Sequence, residues 1–377
     1  MEGSPRRVVM RTCLGAYQLY TRLYNERAKP AVMRYRYAVA VLHYSYRENS
    51  GLHPAHIRKA VKNRPGYYGR SHDHYNRGRG FAHHLFFNRE GDSRPVTVLT
   101  DAHCHPADIA VVFPQAEQER RRLGVTAAAS ACDMEEFAHN EGIARNAAAD
   151  GVSPLLPCFA IHPQLPASKA ANGKPFTETD LNDTLATLYT LAQAGRIAAV
   201  GEFGFDLYNA AFRETESLQD RIFAAHLEAA LRYDLPVVLH VRRAMHKIFA
   251  AAKKLSKCGA VVFHSWPGTF EEGQSLLRRG VNAYFSFGNT VALNHKQAQK
   301  SCALFPAERL LTETDVPFQP LRGKSFSQWA DLPFIIETAS TLRREAESNV
   351  SDAKELEKQI EANFNAVFKY NSGFSII

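Results

Sequence analysis

After Val96, eight short apolar runs alternate with segments long enough to be helices, and a chain built that way folds most readily as a parallel sheet with crossover helices. The runs are Val96 to His105, Val125 to Ser130, Leu155 to Ile161, Ile197 to Val200, Pro236 to Leu239, Ala260 to Phe263, Asn282 to Phe285 and Arg309 to Thr312. Between them, Ala116 to Leu123 and Leu218 to Leu231 read as helices. Leu181, Leu185, Leu188 and Leu191 recur at helical spacing before Gly195, which supplies a stop. Eight β/α units in about 280 residues predict an α/β fold, a TIM-like (β/α)8 barrel, whose usual size is about 250 residues and whose active site lies at the C-terminal ends of the strands.

The polar residues at those ends are chemically related. The first run stops at His103 and His105, and alternation along a strand puts both on one face with Cys104 on the other. Imidazole is the commonest metal ligand, so such a pair suits a divalent ion. Glu202 follows the fourth run, His240 the fifth, His264 the sixth and Asp315 the eighth. Each has an ordinary reading: a hydrogen-bonded rim histidine, a turn at Glu202 between glycines, a helix-capping carboxylate at Asp315. Taken together, six imidazoles and carboxylates at five strand ends would be buried polar groups without a reason unless they shared a task.

Charge divides the 377 residues in two. Residues 1–98 carry 18 Lys and Arg against 6 Asp and Glu, whereas residues 99–377 carry 28 against 32, so the net +8 belongs to the first hundred residues. Residues 1–95 form a basic extension rich in Arg, Tyr and His, as in Met33-Arg-Tyr-Arg-Tyr, and hold neither helical nor strand periodicity for long. This favours a poorly ordered extension, with a nucleic-acid-binding arm or an organelle-targeting segment as alternatives. Residues 96–377 form the barrel domain. The six cysteines are scattered without a Cys-x-x-Cys pair, which suits a reducing, cytoplasmic compartment, and no run of eighteen apolar residues suggests a membrane span.

The order Asp101-Ala-His-Cys-His105, Ile161-His-Pro163, Val200-Gly-Glu-Phe-Gly-Phe-Asp206, Leu235-Pro-Val-Val-Leu-His240-Val-Arg242, His264-Ser-Trp-Pro-Gly268 and Glu313-Thr-Asp-Val-Pro317 resembles the TatD family of metal-dependent deoxyribonucleases, within the amidohydrolase superfamily. The resemblance covers roughly residues 96–370, and Asn363-Phe-Asn-Ala-Val-Phe368 is similar to the family's closing helix motif. It implies a TIM-like barrel, two divalent metal ions and hydrolysis of phosphodiester bonds in nucleic acid, with DNA as the expected substrate. By position it assigns one ion to His103, His105 and Asp315, the other to His240 and His264, and Glu202 to the bridge. Three departures stand out: Ala160 and Gln164 where the family usually has Gly and His, Asp108 displaced from its usual place after the histidine pair, and Trp266-Pro267 for a more usual Phe-Ser.

Phosphodiester chemistry gives each residue a role within that resemblance. A bridging carboxylate offers one oxygen to each ion, and Asp315 is placed to orient the nucleophile and accept its proton. Arg242 suits a phosphate oxygen as a fork donor, and His162 suits phosphate or the leaving group. Imidazole and carboxylate together are compatible with Mg, Mn or Zn. An amidase or deaminase on the same barrel is the alternative enzyme, although many of those bridge two ions with a modified Lys on the fourth strand, where this chain has Glu202. A non-catalytic nucleic-acid-binding protein is the remaining alternative, and all six ligand positions are intact.

Overall fold

The structure, a computed structural model, describes residues 98–293 and 295–368. Eight strands make one sheet in sequential order: β1 (Thr100–Cys104), β2 (Thr126–Ala129), β3 (Leu155–Phe159), β4 (Ala199–Asp206), β5 (Val237–Arg242), β6 (Val261–Phe263), β7 (Ala283–Phe287) and β8 (Leu310–Thr312). Every neighbouring pair is parallel, and a helix follows each strand on the outside. The sheet curls into a nearly closed barrel. At the seam, the Thr312 hydroxyl donates to the Thr100 carbonyl at 3.1 Å, Asp315 N–H to the His103 carbonyl at 3.0 Å, and His105 N–H to the Val316 carbonyl at 3.0 Å. The last two bonds tie the segment after β8 to the histidine pair of β1, so the seam itself helps build the site. The expected extension, residues 1–95, lies outside the described residues.

Both faces of the strands are buried, as parallel sheets require. Inward-facing Ala102, Ala128, Leu156, Val238, Val262 and Leu311 pack with Phe364, Val367 and Phe368 of the last described helix, Ala353–Phe368, which covers the N-terminal end of the barrel. Asn363 locks it there by donating to the carbonyls of Ala307 and Leu310, each at 2.8 Å. Phe364 and Phe368 are almost fully buried, and removing such a ring typically costs about 3–5 kcal/mol. That end is therefore a sealed core, and the polar groups collect at the other.

The strand boundaries differ from the sequence expectation in a way that matters for the site. Among the described residues β1 begins at Thr100, and β4 runs on to Asp206 through what sequence alone allows as a turn. Parallel pairing explains the longer strand: β4 and β5 keep register from Glu202↔Val238 to Asp206↔Arg242. Gly204 permits it, because at φ +142 its backbone lies against the His240 carbonyl and a Cβ would collide with that oxygen. Register shifts interrupt β1 between Asp101 and Cys104 and β4 between Val200 and Glu202, the two strands that carry His103 and Glu202. Bulges of this kind re-aim side chains beside functional sites. The helix predicted from the leucine spacing starts at Glu178 because Thr177 and Asp180 form a capping box.

Candidate metal centre

Glu202 stands at the middle of the barrel mouth, 6% exposed, and its two oxygens face different sets of nitrogens. Oε2 lies 3.3 Å from His103 Nε2 and 3.5 Å from His105 Nε2, and those two nitrogens lie 3.0 Å apart. Asp315 Oδ1 completes that group at 3.6 and 3.5 Å from the same nitrogens. Oε1 faces the other way, 2.8 Å from His240 Nδ1, 3.1 Å from His162 Nε2 and 3.4 Å from His264 Nε2. All eight residues expected from sequence lie at the barrel mouth, and six of them gather around Glu202.

The donor atoms fit a divalent cation. Bonds of 2.0–2.1 Å arranged as a tetrahedron put ligand atoms about 3.3 Å apart, close to the separations among His103, His105, Glu202 and Asp315. Three overlapping groups have ligand atoms close enough for an ion: His103, His105 and Asp315; His103, Glu202 and His264; and His162, Glu202 and His240. Hydrogen bonds sort the last group. The Gln164 N–H donates to His162 Nδ1 at 3.2 Å, which assigns the His162 proton to Nε2 and makes that atom a donor toward Glu202 rather than a ligand.

Electrostatics within the mouth follow from this crowding. Burial works against charge on every group, yet Glu202 is held well below the usual carboxylate range because His162 and His103 outweigh its desolvation. Asp315 is lowered against its own burial by His264, His105 and His103. Burial would lower His105, but the Asp315 hydrogen bond and Glu202 lift it to about 9; His240 rises to about 10 against burial through Asp206 and Glu202. His103 and His162 are pushed down, chiefly by burial.

Arg242 leaves the same strand two residues beyond His240, half-buried at the rim, with its guanidinium 3.5 Å over the Tyr208 ring. Among the described residues it has no carboxylate partner, so its donors are free of an ion pair. Of the seven described non-glycine residues with positive φ, four follow strand ends at this mouth: Arg243, Ser265, Asp315 and Gln319. Such backbone strain collects where surrounding contacts over-determine a functional geometry.

Several supporting residues escape the sequence reading. Asp206 is fully buried and lies 3.2 Å from His240 Nε2. Period-two alternation along β4 puts Glu202 and Asp206 on one face, a signal that could have found it. Gln164 is no vacancy in the pattern: its amide donates to Asp206 Oδ2 at 2.6 Å. Gln319, on the segment after β8, donates to Asp315 Oδ2 at 2.6 Å, and no periodicity could have placed it. Asp101 accepts from the Thr314 N–H and hydroxyl and the His103 N–H, joining β1 to the Asp315 segment. Trp266 turns into the core against Phe263, Phe285 and Phe305 at 3% exposure, so this departure concerns packing and not the mouth. Asp108 is buried in the first turn of the helix Pro106–Val112, and burial pushes it up to about 6.

Comparison with known proteins agrees with this geometry. Residues 100–369 match the family model described as TatD related DNase. A 3'-5' ssDNA/RNA exonuclease TatD from Erwinia tasmaniensis is 32% identical over 193 residues, 49% of this chain and 71% of that protein. An uncharacterised metal-dependent hydrolase from Mycoplasma pneumoniae is 31% identical over 172 residues, and the chain spans 64% of its length and 43% of its own. In fold, the chain resembles a TatD homologue from Escherichia coli K12, with a TM-score of 0.59 at 24% identity over 72% of this chain and 98% of the other. An eight-stranded barrel with a His, Glu and Asp cluster at its mouth, matched along 100–369, belongs to the TatD related DNase family of metal-dependent hydrolases.

Proposed function

We propose that the protein is a nuclease that hydrolyses phosphodiester bonds of nucleic acid, DNA above all, with two divalent ions held on either side of Glu202. The observation that carries this reading is the division of Glu202: Oε2 toward His103, His105 and Asp315, Oε1 toward His240 and His264. When bound, such ions would supply positive charge to the attacked phosphate and lower the pKa of a water. Asp315, anionic and gripped by Gln319, orients the nucleophile and accepts its proton. His162, fixed in the Nε2–H tautomer by the Gln164 backbone N–H, donates to Glu202 Oε1 here and would redirect that proton to a phosphate or leaving oxygen once substrate is bound. Arg242 holds a phosphate oxygen at the rim, and Tyr208 supports its guanidinium from below. Relatives named as ssDNA/RNA exonucleases support the substrate class.

The test is an assay of protein stripped of metal and reconstituted with Mg, Mn or Zn in turn, on end-labelled single-stranded DNA, double-stranded DNA and RNA. Metal-dependent shortening of DNA is the expected outcome. Faster hydrolysis of a neutral amide than of any phosphodiester would replace the nuclease with the amidase.

A further inference from the structure

Two buried carboxylates lie behind the histidines that face Glu202 Oε1, and neither points at the substrate mouth. Asp206 is 0% exposed, and its Oδ2 lies 3.2 Å from His240 Nε2, the nitrogen that faces away from Glu202. The carboxylate cannot swing away, because Gln164 Nε2 donates to the same oxygen at 2.6 Å and the Tyr208 N–H donates to Oδ1 at 2.9 Å. Its backbone is clamped as well. Gln219, also fully buried, accepts from the Asp206 N–H at 2.8 Å and donates to its carbonyl at 3.1 Å.

Glu313 is likewise 0% exposed, with Oε1 3.1 Å from His264 Nδ1. The approach is off the N–H axis, so the contact is an ion pair rather than a straight hydrogen bond. The carboxylate has no other hydrogen-bond partner among the described residues. A buried carboxylate so poorly satisfied is costly unless charge arrives on the far side of the imidazole.

At His103 the other half is built differently. Behind His103, Nδ1 meets only the neutral Ser130 hydroxyl at 3.3 Å, and the negative charge is supplied directly by Asp315. A carboxylate on the distal nitrogen fixes the tautomer and raises the basicity of a ligating imidazole, whereas a hydroxyl does less.

We propose that Asp206 and Glu313 are positioning residues that set the cation affinity of the His240 and His264 half independently of the His103, His105 and Asp315 half. This rests on the two-ion reading above. Gln164 belongs to the same device, since it holds Asp206 in place.

The experiment is equilibrium dialysis of the metal-stripped full chain against a series of Mn2+ concentrations, with bound metal counted per chain and folding followed by circular dichroism. Wild type should take up two ions. Asp206→Asn, which keeps the backbone bonds and the shape, and Glu313→Gln should each keep one ion at wild-type concentration and need roughly 10–100-fold more Mn2+ for the second. Gln164→Ala should shift the second ion in the same direction by less, and it remains informative where a carboxylate variant fails to fold. Equal weakening of both ions, or no shift in folded variants, overturns the assignment. Uptake of a single ion by wild type overturns the two-ion reading, and this inference with it.

Discussion

The two oxygens of Glu202 look onto unequal halves of one site. On the Oε2 side, a histidine pair from β1 and a carboxylate from the segment after β8 meet across the barrel seam, joined by backbone bonds at 3.0 Å. On the Oε1 side, three imidazoles come from the ends of β3, β5 and β6, and carboxylates stand behind two of them, His240 and His264. Negative charge thus reaches one half directly and the other through imidazole rings. On the two-ion proposal, one half would tune the nucleophile through Asp315 while the other would grip its cation and the phosphate.

Removing the shared residue should have the largest effect. Glu202→Ala is expected to empty both halves and lower turnover more than about 1000-fold, or over about 4 kcal/mol at 1.36 kcal/mol per tenfold. Metal content and kcat measured together check it; one filled half with near-normal turnover would show that the halves do not depend on one carboxylate.

A pH effect on stability is expected from a buried histidine behind the Oε1 side. His226 is fully buried, accepts the Ile161 N–H at 2.9 Å just before His162, and donates to the Ile222 carbonyl at 2.8 Å. Burial lowers it to about 4. Because the folded pKa lies below the unfolded value of 6.5, the unfolded chain gains a proton first, and stability falls as pH drops from 6.5 toward 4. The loss from this group is about 3 kcal/mol at 1.36 kcal/mol per pK unit. Urea unfolding of wild type and His226→Gln at pH 7 and pH 4.5 separates it: the variant should lose less, and equal losses would assign the effect elsewhere.

Arg242→Ala should weaken kcat/KM on nucleic acid by roughly 10–100-fold, the worth of one charge-assisted contact of about 1.5–3 kcal/mol. Turnover at saturating substrate should change less, which steady-state kinetics resolves. The smallest effect on chemistry is expected from the basic extension, because both halves lie within residues 98–368. A chain beginning at Gly91 should keep metal-dependent turnover and lose salt-sensitive affinity for nucleic acid. Loss of turnover or folding would place part of the domain before residue 91.

Much of this was legible from residue order. Alternation of apolar runs and helical spacing carries the eight-stranded barrel, and polar residues at run ends carry all six candidate ligands. What stayed hidden is what depends on contacts between strands. The continuation of β4 to Asp206 requires Gly204 against the His240 carbonyl, which only the β4–β5 register displays. Gln164 reads as a departure until its amide is seen on Asp206, and Gln319 lies on an aperiodic segment that reaches Asp315 only through the path after β8. Trp266 shows the converse: placed beside His264 in sequence, it turns away into the core.

Anomalous diffraction from crystals of the full chain soaked in Mn2+ tests the division of Glu202 most directly. Two peaks about 3.5–4 Å apart are expected, one beside Oε2 among His103, His105 and Asp315 and one beside Oε1 between His240 and His264. A single peak at full occupancy, or a second one away from His240 and His264, would contradict it.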